Sequence, residues 1–452
     1  PMSAGPRSPI ADRTFWGLLL TQFLGAFNDN VYKFLVMFLC TDRKKLDSAD
    51  DWQGLALGAF AAPFVLFSGV SGFISDRFSK SSIIVLCKVL EIGVMGAGLL
   101  VFWFVEPSKL QLGLLIGVLF LMGMHSTLFG PAKYGILPEL YERERLPGIN
   151  GWFLMTTFLA IIGGVAAAGY LKDVMPRLMD VQWVCVGIAA VGTVTSLLIR
   201  RLPAADPQLS FRWSALFIDP ETRHSLKQYP MLLTALFYSS IFWFVGGVFQ
   251  PAVNAMGTVQ YRLSDTDTGR FNATTAVGIA IGSALAGKLS KSRFRAGLVR
   301  LAAFGLVICL ALLGIPGGRV SVPIERSAPV AVGAQLPITP ATQEIQLPMV
   351  SLIFSGILLT LAGLFAGLYA VPLQVYLQAK APEHLKGRMI GAMNFFNWIG
   401  IVISAGFYGA GSYLLAKLNL GINMVFLGIA LVILIAAMTF SMKEEPLSRE
   451  EL

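Results

Sequence analysis

The sequence predicts an all-α polytopic membrane protein with twelve transmembrane helices in two pseudo-symmetric six-helix bundles. Three observations lead there. Of 452 residues, 55% are hydrophobic and only 13% charged, with a mean hydropathy of +0.68; a soluble chain carries about a quarter charged residues. Apolar stretches long enough to cross a ~30 Å hydrocarbon layer as helices recur with short polar breaks. Landmarks at the ends of these stretches occur twice along the chain, the mark of an internal repeat.

Taken in order, the first-half spans lie near 14–41, 53–75, 82–105, 111–130, 149–171 and 182–200. Those of the second half lie near 230–256, 269–288, 297–315, 348–378, 388–414 and 421–441. The first span is too long and too charged for a cleavable signal peptide, so it is expected to stay in the membrane, and Pro1 ahead of Met2 reads as the scar of a removed tag. A basic, Pro-containing stretch, 201–229, is expected to be a cytoplasmic linker dividing an N-terminal bundle (1–200) from a C-terminal bundle (230–452).

The repeat is visible in short motifs. "GFISDRFSK" follows the second span, with Gly72, Asp76, Arg77 and Lys80, and "GKLSKSRFR" follows the eighth, with Gly287, Lys291, Arg293 and Arg295. Arg145-x-x-Gly148 opens the fifth span and Arg388-x-x-Gly391 the eleventh. The second set is spaced more widely, and an external Pro-rich insertion at about 316–347 supplies the extra residues. Its Val/Ser alternation is compatible with a small hairpin; a plain external loop and a lid or partner-docking element are both open readings.

With the N-terminus inside, 22 Lys and Arg residues fall on the inner side and 11 on the outer, which puts both termini in the cytoplasm by the positive-inside rule. The formal charge of +9 is thereby explained without nucleic acid, since no basic cluster is interleaved with exposed aromatics. Cys40, Cys87, Cys185 and Cys309 sit in apolar spans and read as small core hydrophobes. His125, His224 and His384 have no ligand spacing, so no metal or other cofactor is expected.

The middle of the first span is the anomaly. Asn28, Asp29, Asn30 and Lys33 interrupt it where a charge costs roughly 2.5–3.5 kcal/mol and must find a partner or a wet cavity. Gln22, Ala26, Asp29 and Lys33 follow helical spacing and make one polar stripe, as the wall of a cavity between two bundles requires. A structural ion pair, recognition of a zwitterionic headgroup and ion or proton coupling all remain open. Lys88 and Glu91, three apart, read as a structural pair near the cytoplasmic side. His125 could face the cavity or be a satisfied structural histidine. Tyr238, Trp243, Gln250 and Asn254 of the seventh span offer polar tips alongside ordinary packing, and Asn394 and Asn397 of the eleventh can hydrogen-bond between helices.

No catalytic constellation survives placement, so an enzyme is not expected. "GSALAGKL" imitates a phosphate loop, but Leu289 stands where Ser or Thr is needed and its glycines lie in a span, which makes it helix packing. Asn272-Ala-Thr274 is a chance glycosylation match inside the eighth span.

Gly72-x-x-x-Asp76-Arg77, between the second and third spans, resembles the loop signature of the major facilitator superfamily, although Ser79 stands where that pattern has Gly and the second copy lacks the acid. "FLGAFNDNVYK" (23–33) and "FGPAKYGILPEL" (129–140) are similar to segments of the bacterial lysophospholipid transporter family within it. The resemblance implies a major facilitator fold and an inner-membrane flippase carrying lysophospholipids such as lysophosphatidylethanolamine to the cytoplasmic leaflet by alternating access. The alternative is a proton-coupled exporter of drugs or small amphiphilic solutes; a membrane scaffold or receptor is a third class. Asp29 would meet the headgroup ammonium and Lys33 or another base the phosphate, with Asn30, Gln22, His125, Tyr238, Gln250 and Asn394 as further substrate contacts. Gly72, Asp76, Arg77, Lys80, Arg145 and Arg388 would gate, stabilising an outward-open state. The chain is expected to act as a monomer among membrane lipids. It carries no acyltransferase signature, so re-acylation is expected of a separate acyltransferase/acyl-ACP synthetase partner.

Overall fold

Hydrocarbon offers backbone amides no water, so each apolar run closes its own helical ladder. The computed structural model describes residues 12–40, 53–210, 218–290, 293–323 and 342–447. Twelve long helices lie among them. In the first half they are α1 (Arg13–Cys40), α2 (Gln53–Arg77), α3 (Lys80–Phe104), α4 (Lys109–Gly135), α5 (Leu146–Val174) and α6 (Leu178–Ser196). In the second they are α7 (Pro230–Ala255), α8 (Asp265–Ser290), α9 (Ala296–Gly314), α10 (Leu352–Lys380), α11 (Lys386–Lys417) and α12 (Val425–Thr439). Among the described residues eleven stretches are long and apolar enough to cross a membrane; α1, with 28 residues, falls outside that set because its polar middle lowers its hydropathy.

Helix ends follow local chemistry. Ser108 starts α4 by accepting the Gln111 N–H (3.2 Å), and Asp219 starts a short linker helix, Pro220–Gln228, by accepting those of Glu221 (3.1 Å) and Thr222 (3.2 Å), since free N–H groups at a helix start need an acceptor. Pro131 and Pro372 lie inside α4 and α10, helices that correspond between the halves.

Within the first half α1 packs on α5 and α6, α2 on α4, and α3 on α4 and α6; within the second, α7 packs on α11, α10 on α8 and α9, and α9 on α12. The halves meet along α2–α11 and α5–α8, with α5–α10 and α4–α11 behind them. The end bearing the α2–α3 turn and residues 197–210 and 218–229 is termed basal, the other distal. One apolar core runs through both halves and includes basal residues of each, such as Phe15, Ile136, Phe153, Phe294 and Met389. A second, including Tyr32, Leu35, Leu112 and Leu115, belongs to the first half alone. Large apolar side chains such as Trp103, Phe104, Ile353 and Met438 are exposed, as a lipid-facing rim requires.

The insertion forms the hairpin its alternation predicts: β2 (Pro316–Pro323) pairs antiparallel with β3 (Thr342–Pro348), Val320 opposite Ile345. Its base is tied to the second half by Gln260 Nε2 donating to the Gln346 carbonyl (2.7 Å) and the Gly421 N–H donating to Gln346 Oε1 (2.8 Å). Residues 324–341 of the insertion and Lys291 of the second motif copy lie outside the described residues. A basal two-residue pairing joins β1 (Arg293–Phe294) to β4 (Glu445–Pro446).

Candidate functional site

Asp29 lies midway along α1. Its Oδ2 accepts the Ser126 hydroxyl of α4 (2.7 Å), while its Oδ1 is buried with no partner. One turn on, the Lys33 ammonium donates to Asn30 Oδ1 (2.9 Å) and lies over the rings of Phe34 (5.3 Å) and Phe60 (5.2 Å). Among the described residues no carboxylate pairs with it, so the stripe forms no Asp29–Lys33 ion pair. Gln22 and Asn30 are instead committed to packing. Gln22 bonds Thr156 (2.5 Å) and Thr157 (3.0 Å) of α5, and Asn30 donates back to the Ala26 carbonyl (2.7 Å).

Beside this stripe a buried cluster neutralises itself. Lys88 and Glu91 of α3 form an ion pair, 2% and 1% exposed. Glu91 also accepts from Asn28 (2.8 Å), and His125 Nε2 lies 3.7 Å away. The pair thus sits against the middle of α1, deeper than the expected position near the rim, and Gly25 and Gly192 leave the room for the Lys88 side chain. His125 faces this cluster and does not line the cavity between the halves; its Nδ1 has no partner.

That cavity, about 100 Å³, lies between the halves and is lined by Tyr134, Asn150, Gln374, Asn394, Asn397 and Trp398 among others. Asn394 lines it, its amide packed so closely on Gly130 that a Cβ at that glycine would lie 2.7 Å from Nδ2. Asn397 accepts from Ser239 (3.1 Å), and Gln374 Nε2 is buried without a partner. Trp398 stacks on Phe64 (4.0 Å) and meets the edge of Phe60 (6.0 Å), so an aromatic layer stands between Lys33 and the cavity. The single chamber expected from the sequence is therefore two places: a charged stripe and an amide-lined pocket.

Two expected contacts lie elsewhere. Ser239, Phe242 and Trp243 are the α7 residues facing the cavity; Tyr238, one position away on the helix, points into the second half, against Phe440 (4.8 Å) and Thr439 (3.4 Å). Gln250 is exposed two turns beyond Trp243, distal to the lining. A residue missing from the sequence-derived set is Lys133. Its ammonium lies 4.4 Å from the Tyr134 ring centroid and 5.7 Å from that of Phe129, with no carboxylate partner among the described residues. In the sequence it is counted toward charge asymmetry and falls within the quoted segment 129–140 without being singled out; the flanking Phe129 and Tyr134 are the signal that marks it.

The basal seam is closed by a latch. Buried Asp76 accepts the N–H groups of Gly387 (2.7 Å) and Arg388 (2.9 Å) and the Arg388 Nε (3.2 Å), capping α11 from the opposite half, where an acid also meets the positive end of the helix dipole. Gly72 makes this possible: a Cβ there would lie 2.9 Å from the Arg388 Cα. Arg388 reaches on to Asp219 (3.2 Å) and Glu221 (2.9 Å). Lys80 joins Asp76 (3.7 Å) to Glu139 (2.7 Å). Arg77 holds the Leu209 carbonyl (2.6 Å) and Ser79 that of Leu202 (2.6 Å), so Ser79, the departure from the superfamily pattern, pins the linker. Arg145 pairs with Glu142 (3.4 Å), away from the latch; on that side Gly287 meets Gly148 with no acid between them. Partial burial raises the Glu221 pKa, but hydrogen bonds from His384 and Arg388 outweigh it and hold the carboxyl below the usual range.

Comparison with known proteins agrees with this architecture. Over 414 residues, 88% of this chain and 87% of the relative, the sequence is 26% identical to the lysophospholipid transporter LplT of Yersinia pestis (strain Pestoides F). The human organic anion transporter MFSD10 (TETRAN) superposes with a TM-score of 0.72 at 13% identity, covering 95% of this chain and 99% of that one. A bacterial homologue of the iron transporter ferroportin in an outward-facing state superposes with a TM-score of 0.66 at 15% identity, covering 94% and 99%. Residues 18–405 match the Major Facilitator Superfamily, and the chain, a multi-pass membrane transporter, belongs to that family.

Proposed function

We propose that this transporter moves lysophospholipids, lysophosphatidylethanolamine among them, across the bacterial inner membrane toward the cytoplasmic leaflet, with the basal face and both termini cytoplasmic. The observation that carries the reading is a set of uncompensated charges running from the middle of α1 to the basal end of α4. Asp29 has an oxygen without a partner, and Lys33 and Lys133 rest on aromatic rings with no acid paired to them among the described residues. A zwitterionic head supplies both missing charges: Asp29 takes the ammonium, and Lys33 and then Lys133 take the phosphate. Phe60, Phe64 and Trp398 separate the two stations, while the acyl chain stays among lipid-facing helices. The halves 1–200 and 230–452 rock about the site, with the Asp76–Arg388 latch holding the basal side shut. The 26% identity to a lysophospholipid transporter supports the same cargo. The product at the inner leaflet is a substrate for re-acylation by a separate enzyme.

A second reading, proton-coupled export of small amphiphilic solutes, is favoured by the partnerless oxygen of Asp29 near a His125 whose Nδ1 is also without a partner. Reconstitution separates the two. Proteoliposomes holding the pure protein are expected to translocate headgroup-labelled lysophosphatidylethanolamine above protein-free vesicles with no proton gradient. Efflux of small solutes that follows an imposed pH gradient, with lysolipid left in place, would establish the second reading instead.

A further inference from the structure

Asn150 stands on α5 of the first half and Gln378 on α10 of the second, and their amides clasp across the seam. Asn150 Nδ2 donates to Gln378 Oε1 (2.7 Å), and Gln378 Nε2 donates back to Asn150 Oδ1 (3.0 Å). Both side chains are almost sealed, 2% and 1% exposed, yet Asn150 also lines the cavity. The Asn150 amide nitrogen also bonds the Leu146 carbonyl (3.0 Å), which commits both of its hydrogens. A buried amide pair gives little net stability when made, but a half-made one leaves a polar group desolvated and unpaired. This part of the seam therefore has two good arrangements: amides paired and closed, or parted with each amide bonded to something else.

We propose that Asn150 is the positioning residue through which cargo releases the basal closure. A headgroup oxygen in the cavity takes the Asn150 N–H now given to Gln378, and the orphaned Gln378 amide drives α10 away from α5. The inference rests on the lysolipid reading for the identity of that oxygen. The two sides of the seam differ in a way that supports the division of labour. Along α2–α11 the closure is ionic, and none of Asp76, Arg388, Asp219 or Glu221 lines the cavity. Along α5–α10 it is a neutral pair, one member of which does. A ligand oxygen can exchange for an amide oxygen there without stripping a charge of its counter-ion, so the neutral clasp yields first.

The test uses the full chain in phosphatidylcholine proteoliposomes, spin-labelled at Glu144 and Lys288, exposed basal positions of the first and second halves. The four natural cysteines are buried. Distance distributions are compared, with and without lysophosphatidylethanolamine, for the parent protein, Asn150→Leu, Gln378→Leu and the double variant. Each single variant strands one amide and is expected to raise the open-to-closed ratio roughly tenfold without ligand, the worth of two membrane hydrogen bonds. The double variant, apolar on both sides, should return to the parent distribution and ignore lysolipid, which opens the parent. Single variants that match the parent without ligand, or a double variant that still opens on lysolipid, overturn the proposal. Uptake of labelled lysolipid is read in the same vesicles. Absence of uptake by the parent removes the cargo reading and the sensing role with it, while uptake with unmoved distances in Gln378→Leu removes only this inference.

Discussion

The carboxylate of Asp76 meets three N–H donors at the start of a helix in the other half. Replacing Asp76 by Ala leaves two backbone N–H groups unbonded in a buried seam, although Arg388 keeps Asp219 and Glu221. A loss of about 2 kcal/mol from the closed state is expected. That is roughly thirtyfold in labelling rate, measurable as maleimide reaction from the basal face with a cysteine at Ser75, a fully buried neighbour of Gly387. An unchanged rate would remove the latch. Much at this scale was legible: the Gly72-x-x-x-Asp76-Arg77 signature marked the loop, and Arg388 was marked as one copy of a repeat. That the two meet across 312 positions was not, because periodicity assigns a residue to a face without naming the neighbour. Tyr238 shows the same limit, since one step along α7 separates a cavity residue from a packed one. Lys133 was hidden for another reason: a lone base at a helix end is the usual sign of topology, and only its distance to two rings sets it apart.

Among the elements, α8 and α10 approach most closely, through Gly278 and Gly282 on one and Gly363 and Gly367 on the other. A Cβ at Gly282 would lie 2.0 Å from the Leu364 carbonyl oxygen, and one at Gly363 2.1 Å from that of Thr275. Small residues four apart let membrane helices gain close packing where no hydrophobic drive exists. Gly282→Ala is expected to cost about 1–3 kcal/mol, read as a lowered Tm in detergent; an unchanged Tm would mean that the helices part easily. The sequence already assigned this segment to packing, because an apolar span cannot host a phosphate loop. The linker helix depends on charge instead. Glu221 has a folded pKa below its ordinary value, so its contribution is present at neutral pH, where the carboxyl is ionised in both states. That contribution fades as pH falls from the usual carboxylate range, near 4.3, through the lowered value. A spin label at exposed Lys227 should stay immobile between pH 8 and 5, a span lying above that range, and loosen only in stronger acid. Loosening already above pH 5 would contradict a role for the Glu221 carboxylate in holding the linker helix.

For the whole molecule, number and order of spans, the division near 201–229 and the distal hairpin follow from hydropathy, composition and repetition, because lipid permits so few solutions. The relative placement of the halves does not follow. It depends on side chains such as Trp398, Phe60 and Phe64, whose stacking divides the expected chamber into a charged stripe and an amide pocket. Alternating access joins the two in turn if the halves rock, so the charges on α1 should matter for transport more than for stability. The direct measurement is headgroup-labelled lysophosphatidylethanolamine uptake into proteoliposomes by Asp29→Asn beside the parent protein, with Tm recorded for both. Uptake reduced roughly tenfold or more, the loss of one charge-assisted contact of ~1.5–3 kcal/mol, with Tm nearly unchanged, is the expected result; undiminished uptake by Asp29→Asn would contradict it.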